Sequence, residues 1–425
     1  MEDVKWLLKK WGIFFLVLLA AVIVSSTLLE RRSIKEKNAA EDVWEPPVEI
    51  SSNKIDAVDT EGTESQAESS LWFIPQTSNS LITEMEKAEL ENLALSAARQ
   101  VTEVYKDVEI EEGPSYASNI KDFTKEQCKE VVELLGKAGF VSVAEDVNME
   151  NYEDVEDFYA AYLENQDAIV TVFNVNPDGL IGMITFIYRE TQIQTYYVGI
   201  GWQEGGIPEI RDTLVTDIAE MKLTEKGYFI YAHENNIQHS SLRQYWRTKP
   251  LSNECRELTK RYISGLSYVN YNVLVTNWNS SNVEDILMPC MFEDIYHIDT
   301  GENLKVKNDR IPAEVYERIM TTYFPVSEEQ LRDKCGYDES SDTYQYEMIY
   351  SSPYPPFGEV IDYKYNSDCT ITLTVDGVWP DYNSDLAFTN EIVVLPFEDG
   401  SFKYISNTIK QKELELPTIA GKKRE

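Results

Sequence analysis

The sequence predicts an α+β protein held at a membrane: an N-terminal transmembrane helix, an acidic tether, then two domains, each of helices packed on an antiparallel meander sheet. Three observations lead there. Residues 11–29 carry no charged side chain. Capped segments with apolar residues every three to four positions follow the tether. Beyond Ala168, and again beyond Thr343, β-branched and aromatic residues gather in short runs bounded by turn residues, the mark of strands. The organisation expected is a tail 1–10, an anchor 11–29, a flexible linker 30–80, and domains at 81–235 and 236–425.

The anchor reads WGIFFLVLLAAVIVSSTLL. As a helix it would reach roughly 28 Å, against a hydrocarbon core of about 30 Å. Only a helix satisfies every backbone group there within a single segment. Trp6 and Trp11 sit where indole rings favour the headgroup zone. A cleaved signal peptide is the competing reading. Val24-Ser25-Ser26 is a poor cleavage site, and no Cys follows for a lipid anchor. Lys5, Lys9 and Lys10 precede the segment, and Arg31, Arg32, Lys35 and Lys37 follow it. That balance leaves orientation to the size of the C-terminal cargo, which favours an extracytoplasmic body on a single-pass anchor in the cell membrane.

Charge excludes whole classes. There are 74 acidic and 38 basic residues, net −36. Such a surface repels nucleic acid and anionic lipid headgroups. The 43% apolar content, with 26 Tyr, is enough to bury real cores. Five cysteines show no C-x-x-C spacing. Pairs 255–290 and 335–369 have loop lengths that a disulfide could close, but buried thiols are the better reading in so long a chain.

In order, residues 39–70 hold nine acids and one Lys with few large apolar side chains, including Trp44-Glu-Pro-Pro47. Low hydrophobicity with high charge leaves such a segment extended. Order resumes at Leu71-Trp-Phe-Ile74. Thr83-Glu-Met-Glu86 and Thr124-Lys-Glu-Gln127 are capping boxes opening two helices. The first has a stripe at Leu90, Ala94, Ala97, Val101, Val104 and Val108; the second stops at Gly139. A third helix is expected at 152–165. Strands are expected at 168–174, 180–188, 194–202, 221–223 and 228–233. Asn176-Pro-Asp-Gly179 and Thr224-Glu-Lys-Gly227 are turns between them. The second half reads similarly. Helices are expected at 240–247, 253–263, 282–296 with a break at Pro289, from Pro312 to 323, and after the capping box Ser327-Glu-Glu-Gln330. Strands are expected at 272–278, 343–349, 359–365, 369–378, 387–395 and 401–405. A curved sheet wrapped on helices, as in the NTF2-like fold, would suit each half; that analogy carries no function.

No motif for catalysis survives inspection. His233-Glu234 begins like a zinc-protease motif, but position 237 is Ile and the next histidine is His239, too far along for one helix face. The start of a calcium loop at Asn174–Gly179 has Thr185 where a bidentate Glu is needed. Ser118-Asn-Ile-Lys121 and Ser51-Ser-Asn-Lys54 match S-x-x-K, but no Lys-Thr-Gly follows. No cofactor or metal is expected. The most site-like cluster is Asp376-Gly-Val-Trp379-Pro-Asp381-Tyr382, an indole flanked by acids and a phenol. It could stack on a sugar face or a peptide side chain, or simply close the end of a sheet. Tyr245, Trp246 and Trp278 stand under the same two readings.

The anchor, the Trp44-Glu-Pro-Pro47 tether and the Tyr-rich body resemble uncharacterised membrane-anchored exported proteins of Gram-positive, gut-associated bacteria. The layout is also similar to bitopic scaffold proteins of conjugation machinery, which place NTF2-like domains outside an N-terminal anchor. Neither resemblance implies an activity or a site residue.

The expected function is therefore a non-catalytic cell-surface interaction or ligand-binding module. Its partners would be the membrane through residues 11–29 and an unidentified protein or cell-wall component. The alternatives are an envelope hydrolase using Asp or Glu on glycan or peptidoglycan, and a self-associating assembly scaffold.

Overall fold

The Thr83 hydroxyl accepts a hydrogen bond from the Glu86 amide at 3.2 Å, and the Glu86 carboxylate accepts one from the Thr83 amide at 2.8 Å. The capping box thus opens helix α1 (Glu84–Arg99) where the sequence placed it. The computed structural model describes residues 80–110, 120–234, 243–268, 273–286, 289–346 and 355–414, all within the contact unit Trp72–Glu425. The anchor 11–29, residues 30–79 of the tether and His239 lie outside the described residues. Among the described residues no helix is long and apolar enough to cross a membrane.

Ala94, Ala97 and Val101 form the buried stripe, but the helix breaks at Gln100 and resumes as the single turn α2 (Thr102–Tyr105). Helix α3 (Lys125–Lys137) follows the second capping box, and Gly139 takes φ +90° just past its end. Two short strands then appear that the sequence did not suggest, β1 (Val141–Ala144) and β2 (Val147–Glu150). β1 is buried at all four positions, so it shows no alternation. Helix α4 (Glu153–Leu163) leads to β3 (Ala168–Val175), which pairs with β1 in parallel. The expected pure meander is therefore corrected to a mixed sheet.

β4 (Ile181–Arg189), β5 (Gln192–Gln203), β6 (Ile207–Leu223), β7 (Tyr228–His233) and β8 (Gln244–Arg247) complete the sheet, in the order β2-β1-β3-β4-β5-β6-β7-β8. β6 pairs with β5 as far as Asp217 and with β7 from Ile218 onward, with irregularities at Gly199/Ile200 and Ile218/Glu220. Such breaks bend and twist a strand. The sheet curls on itself, so Phe186 of β4 meets Phe229 and Tyr231 of β7 at 5.2 and 5.0 Å and Trp246 of β8 at 6.0 Å. α4 packs inside the curl with these rings, while α1, α2 and α3 cover the other face.

The helix expected at 240–247 is a strand at its described end. Arg243 and Arg247 are four apart, a spacing that returns to the same face in a helix and in a strand alike. β8 joins the first sheet, which therefore runs past residue 235.

The second half begins with α5 (Asn253–Tyr262), capped by Ser252. The helix expected at 282–296 is instead two 3₁₀ turns, Val283–Asp285 and Pro289–Met291, followed by α6 (Phe292–Thr300). A small sheet of β9 (Arg310–Pro312), β10 (Tyr337–Asp338) and β11 (Thr343–Gln345) brackets α7 (Ala313–Tyr323) and α8 (Glu328–Lys334). The meander β12 (Phe357–Tyr365), β13 (Ile371–Trp379), β14 (Ser384–Pro396) and β15 (Phe402–Lys412) is antiparallel throughout, as expected. The strand expected at 272–278 is an irregular segment along its described part. There only Trp278 pairs with β15, in a single antiparallel bridge to Asn407, whose side chain donates to the Leu274 and Thr276 carbonyls, both at 2.8 Å. Among the described residues the two halves thus differ in architecture: eight strands curled around one helix, against a four-stranded meander and a small three-stranded sheet backed by helices. Cys128, Cys255 and Cys335 are buried thiols and Cys369 is an exposed one.

Candidate functional site

The acidic cluster falls at the seam where β6, β7 and β8 of the first sheet meet β12, β13 and β14 of the second. Asp376 lies on β13 and is only 1% exposed. It is held from two sides, by the Lys226 ammonium of the β6–β7 turn and by the Thr389 hydroxyl of β14. The Lys226 amide also donates to the Asp385 carboxylate at 2.7 Å. The turn Thr224–Gly227 is therefore clamped through both its main chain and its side chain.

A second ion pair lies alongside. Arg247, from the end of β8, donates to Glu359 of β12, and Tyr228 and Arg256 face the same carboxylate. Burial pushes the Glu359 carboxyl above its ordinary value, although Arg247, Tyr228 and Arg256 all act in the opposite direction. Burial likewise pulls the Arg256 guanidinium down and the Tyr228 phenol up. Arg256 donates to Asn148 Oδ1 at 2.5 Å, and Asn148 bonds both main-chain groups of Leu251, at 2.9 and 3.0 Å. β2 is thereby tied to the chain entering α5.

A third group closes the rim. Arg243 donates to the Glu220 carboxylate at 2.6 Å and to the Asp381 carbonyl at 2.6 Å. Lys222 donates to the Asn383 carbonyl at 2.7 Å, where Asn383 sits at φ 51°. Burial raises the Asp381 carboxyl.

The seam gathers some of the residues singled out from sequence and separates others. Trp379 is buried, with the exposed Tyr382 ring 4.3 Å away. Tyr245 stacks on Phe357 of β12 at 5.4 Å, at the same junction. Trp246, its neighbour on β8, points the other way into the curled sheet, where its indole N–H donates to Asn174 at 3.2 Å. Trp278 is remote, in the core of the second half, donating to the Val273 carbonyl at 2.9 Å. Of the seven candidates, Asp376, Trp379, Asp381, Tyr382 and Tyr245 share a junction; Trp246 and Trp278 are core residues.

Sequence reasoning missed the partners: Lys226, Arg243, Arg247, Glu220 and Glu359. Lys226 reads as an ordinary turn residue, and the two arginines fall in the segment 240–247 expected to be helical. Only the fold shows that each meets an acid more than a hundred residues away or across a hairpin. Chemically, the seam holds two acids out of water against cations, an arrangement that couples two sheets. Among the described residues no group of three or more His, Cys, Asp or Glu is placed to hold a metal ion.

No curated protein and no solved structure matches the chain. A family model does, from within α1 to beyond β15, over residues 87–422. Both sheets, and the seam joining them, therefore lie within that match. The chain belongs to DUF6070, a family of unknown function.

Proposed function

We propose that the protein is a membrane-tethered, extracytoplasmic binding module without catalytic chemistry of its own. The observation that carries this reading is the state of Asp376. The first acid of the most site-like cluster in the sequence is buried and clamped between Lys226 and Thr389. Glu359 is spent in the same way on Arg247. General acid–base work needs a carboxyl within hydrogen-bond reach of substrate, and these two face protein cations. The apolar segment 11–29, the acidic linker behind it and the large, acidic, aromatic-rich body support a tethered module. Exposed Tyr382 and Tyr245 offer contact surface at the seam.

Three measurements test it. Reporter fusions before residue 11 and after residue 425 should place the body outside the cytoplasm. Full-length protein in detergent should release no sugar or peptide from purified cell wall. Turnover lost in Asp376→Asn, with the fold intact by circular dichroism, would establish a hydrolase instead. Pull-down from envelope extracts should return a partner at stoichiometric yield.

A further inference from the structure

Besides its outer strands β2 and β8, the first sheet has interior strands whose neighbour stops short, and two such stretches are treated differently. β6 lacks an outer neighbour before Ile218, because β7 pairs only from there on. That stretch carries Pro208, Glu209, Arg211 and Asp212, the charges and proline that protect an edge from adventitious pairing. β3 pairs with β4 along its whole length, but with β1 only from Val172 onward. The preceding stretch, Ala168-Ile-Val-Thr171, has a strand on one side alone and carries neither charge nor proline. Among the described residues no main chain from another element bonds to Ala168, Ile169 or Val170 on that open side. Ile169 is 53% exposed there.

The open side is a cleft of about 460 Å³ between β3 and α4. Phe158 and Val170 line it with apolar surface, and Asp154, Asp157 and Ala161 line it from α4. Asp154 and Asp157 are one helical turn apart, so their carboxylates share a face. Neither makes an ion pair among the described residues. Acids in a first helical turn are favoured by the helix dipole, which accounts for Asp154. Asp157 lies beyond the first turn and is aligned on the cleft.

We infer that this cleft binds an extended, basic segment of a partner protein, which adds to β3 as a short strand in the lane that β1 leaves empty. Main-chain hydrogen bonds to β3 supply affinity, and lysine or arginine side chains meet Asp154 and Asp157. A second copy of this chain is the wrong occupant, since a net charge of −36 sets it against an acid-lined cleft. The inference rests on the reading of the protein as a binding module and names its partner's chemistry.

The test uses full-length protein in non-ionic detergent and a fluorescent decapeptide of alternating lysine and valine. Anisotropy should show binding at low salt, weakened about tenfold by Asp154→Asn/Asp157→Asn and lost when alternate peptide nitrogens are methylated. Amide exchange should slow at residues 168–171 in the complex. Equal binding by the double variant, equal binding of the methylated peptide or of a glutamate–valine peptide, or protection elsewhere would each overturn the cleft assignment. So would no binding at all. If envelope pull-downs still return a partner in those cases, and that partner still binds the double variant, the cleft is wrong and the module reading stands. Failure of both removes both.

Discussion

Lys226 and Asp376 lie 150 positions apart, yet the ammonium of one is bonded to the carboxylate of the other across two sheets. Asp376 is almost fully buried, whereas Lys226 keeps about a third of its side chain exposed. The two ends of the pair therefore carry unequal costs if separated. Lys226→Met leaves a carboxylate in the seam with only Thr389 to meet it. The expected loss is about 3 kcal/mol, the lower end of the range for breaking a buried pair. Adding Asp376→Asn should recover part of it, because a neutral amide still accepts from Thr389. Urea unfolding of the two variants checks the order; equal losses would show that the pair is not the link.

Arg247 and Glu359 make a prediction about pH. The Glu359 carboxyl is pushed up by burial, so the folded protein binds its proton more tightly than the unfolded chain does. Stability from this group is then greatest in acid, and it falls as pH rises from the ordinary value of 4.5 through the higher folded value. Arg247→Leu removes the nearest favourable cation and should steepen that fall. Glu359→Gln should abolish it. Urea midpoints between pH 4 and 7 read both effects.

Glu86 should behave in the opposite sense. The Thr83 amide first, and then Arg189, hold its carboxyl down at about 2. Its contribution is present above the ordinary value of 4.5 and is lost as pH falls towards 2. Glu86→Gln should therefore flatten the acid limb of the stability curve in that window by lowering neutral stability towards the acid value, because Gln can still close the capping box but cannot pair with Arg189. An unaltered acid limb would place the acid-labile step elsewhere.

Gly358 is required by Tyr268. A Cβ at Gly358 would stand 2.1 Å from the Tyr268 hydroxyl and 2.7 Å from Ile263 Cγ2. Gly358→Ala should cost about 1–3 kcal/mol through overpacking. The Tyr268 hydroxyl is buried and has no hydrogen-bond partner among the described residues, so Tyr268→Phe should be neutral or stabilising. The double variant should be less damaged than Gly358→Ala alone. Thermal melts of the three proteins decide it.

Much of the secondary structure was legible because its signals are local. The capping boxes at Thr83, Thr124 and Ser327 each open a helix, since the cap and its reciprocal Glu or Gln lie within one turn. The second-half meander was legible because its turns, Asn366–Asp368 and Glu398–Gly400, separate runs of strand formers. β1 was not legible, because a four-residue strand buried at every position has no period. β8 was misread, because a four-residue strand is too short for its period to be told from that of a helix.

By itself, the sequence determined that this is an acidic α+β chain with a hydrophobic N-terminal segment and a site-like cluster at 376–382. Those properties follow from composition and from contacts a few residues apart. Tertiary structure alone decided which groups the acids of that cluster meet. The Asp376 carboxylate is an ion-pair partner because the curl of the first sheet brings Lys226 to it, and curl depends on bulges and long-range pairing that no local pattern encodes. The same holds for the open edge at Ala168–Thr171. Its residues look like any buried strand, and it is the point at which β1 begins that leaves one side of it without a strand among the described residues.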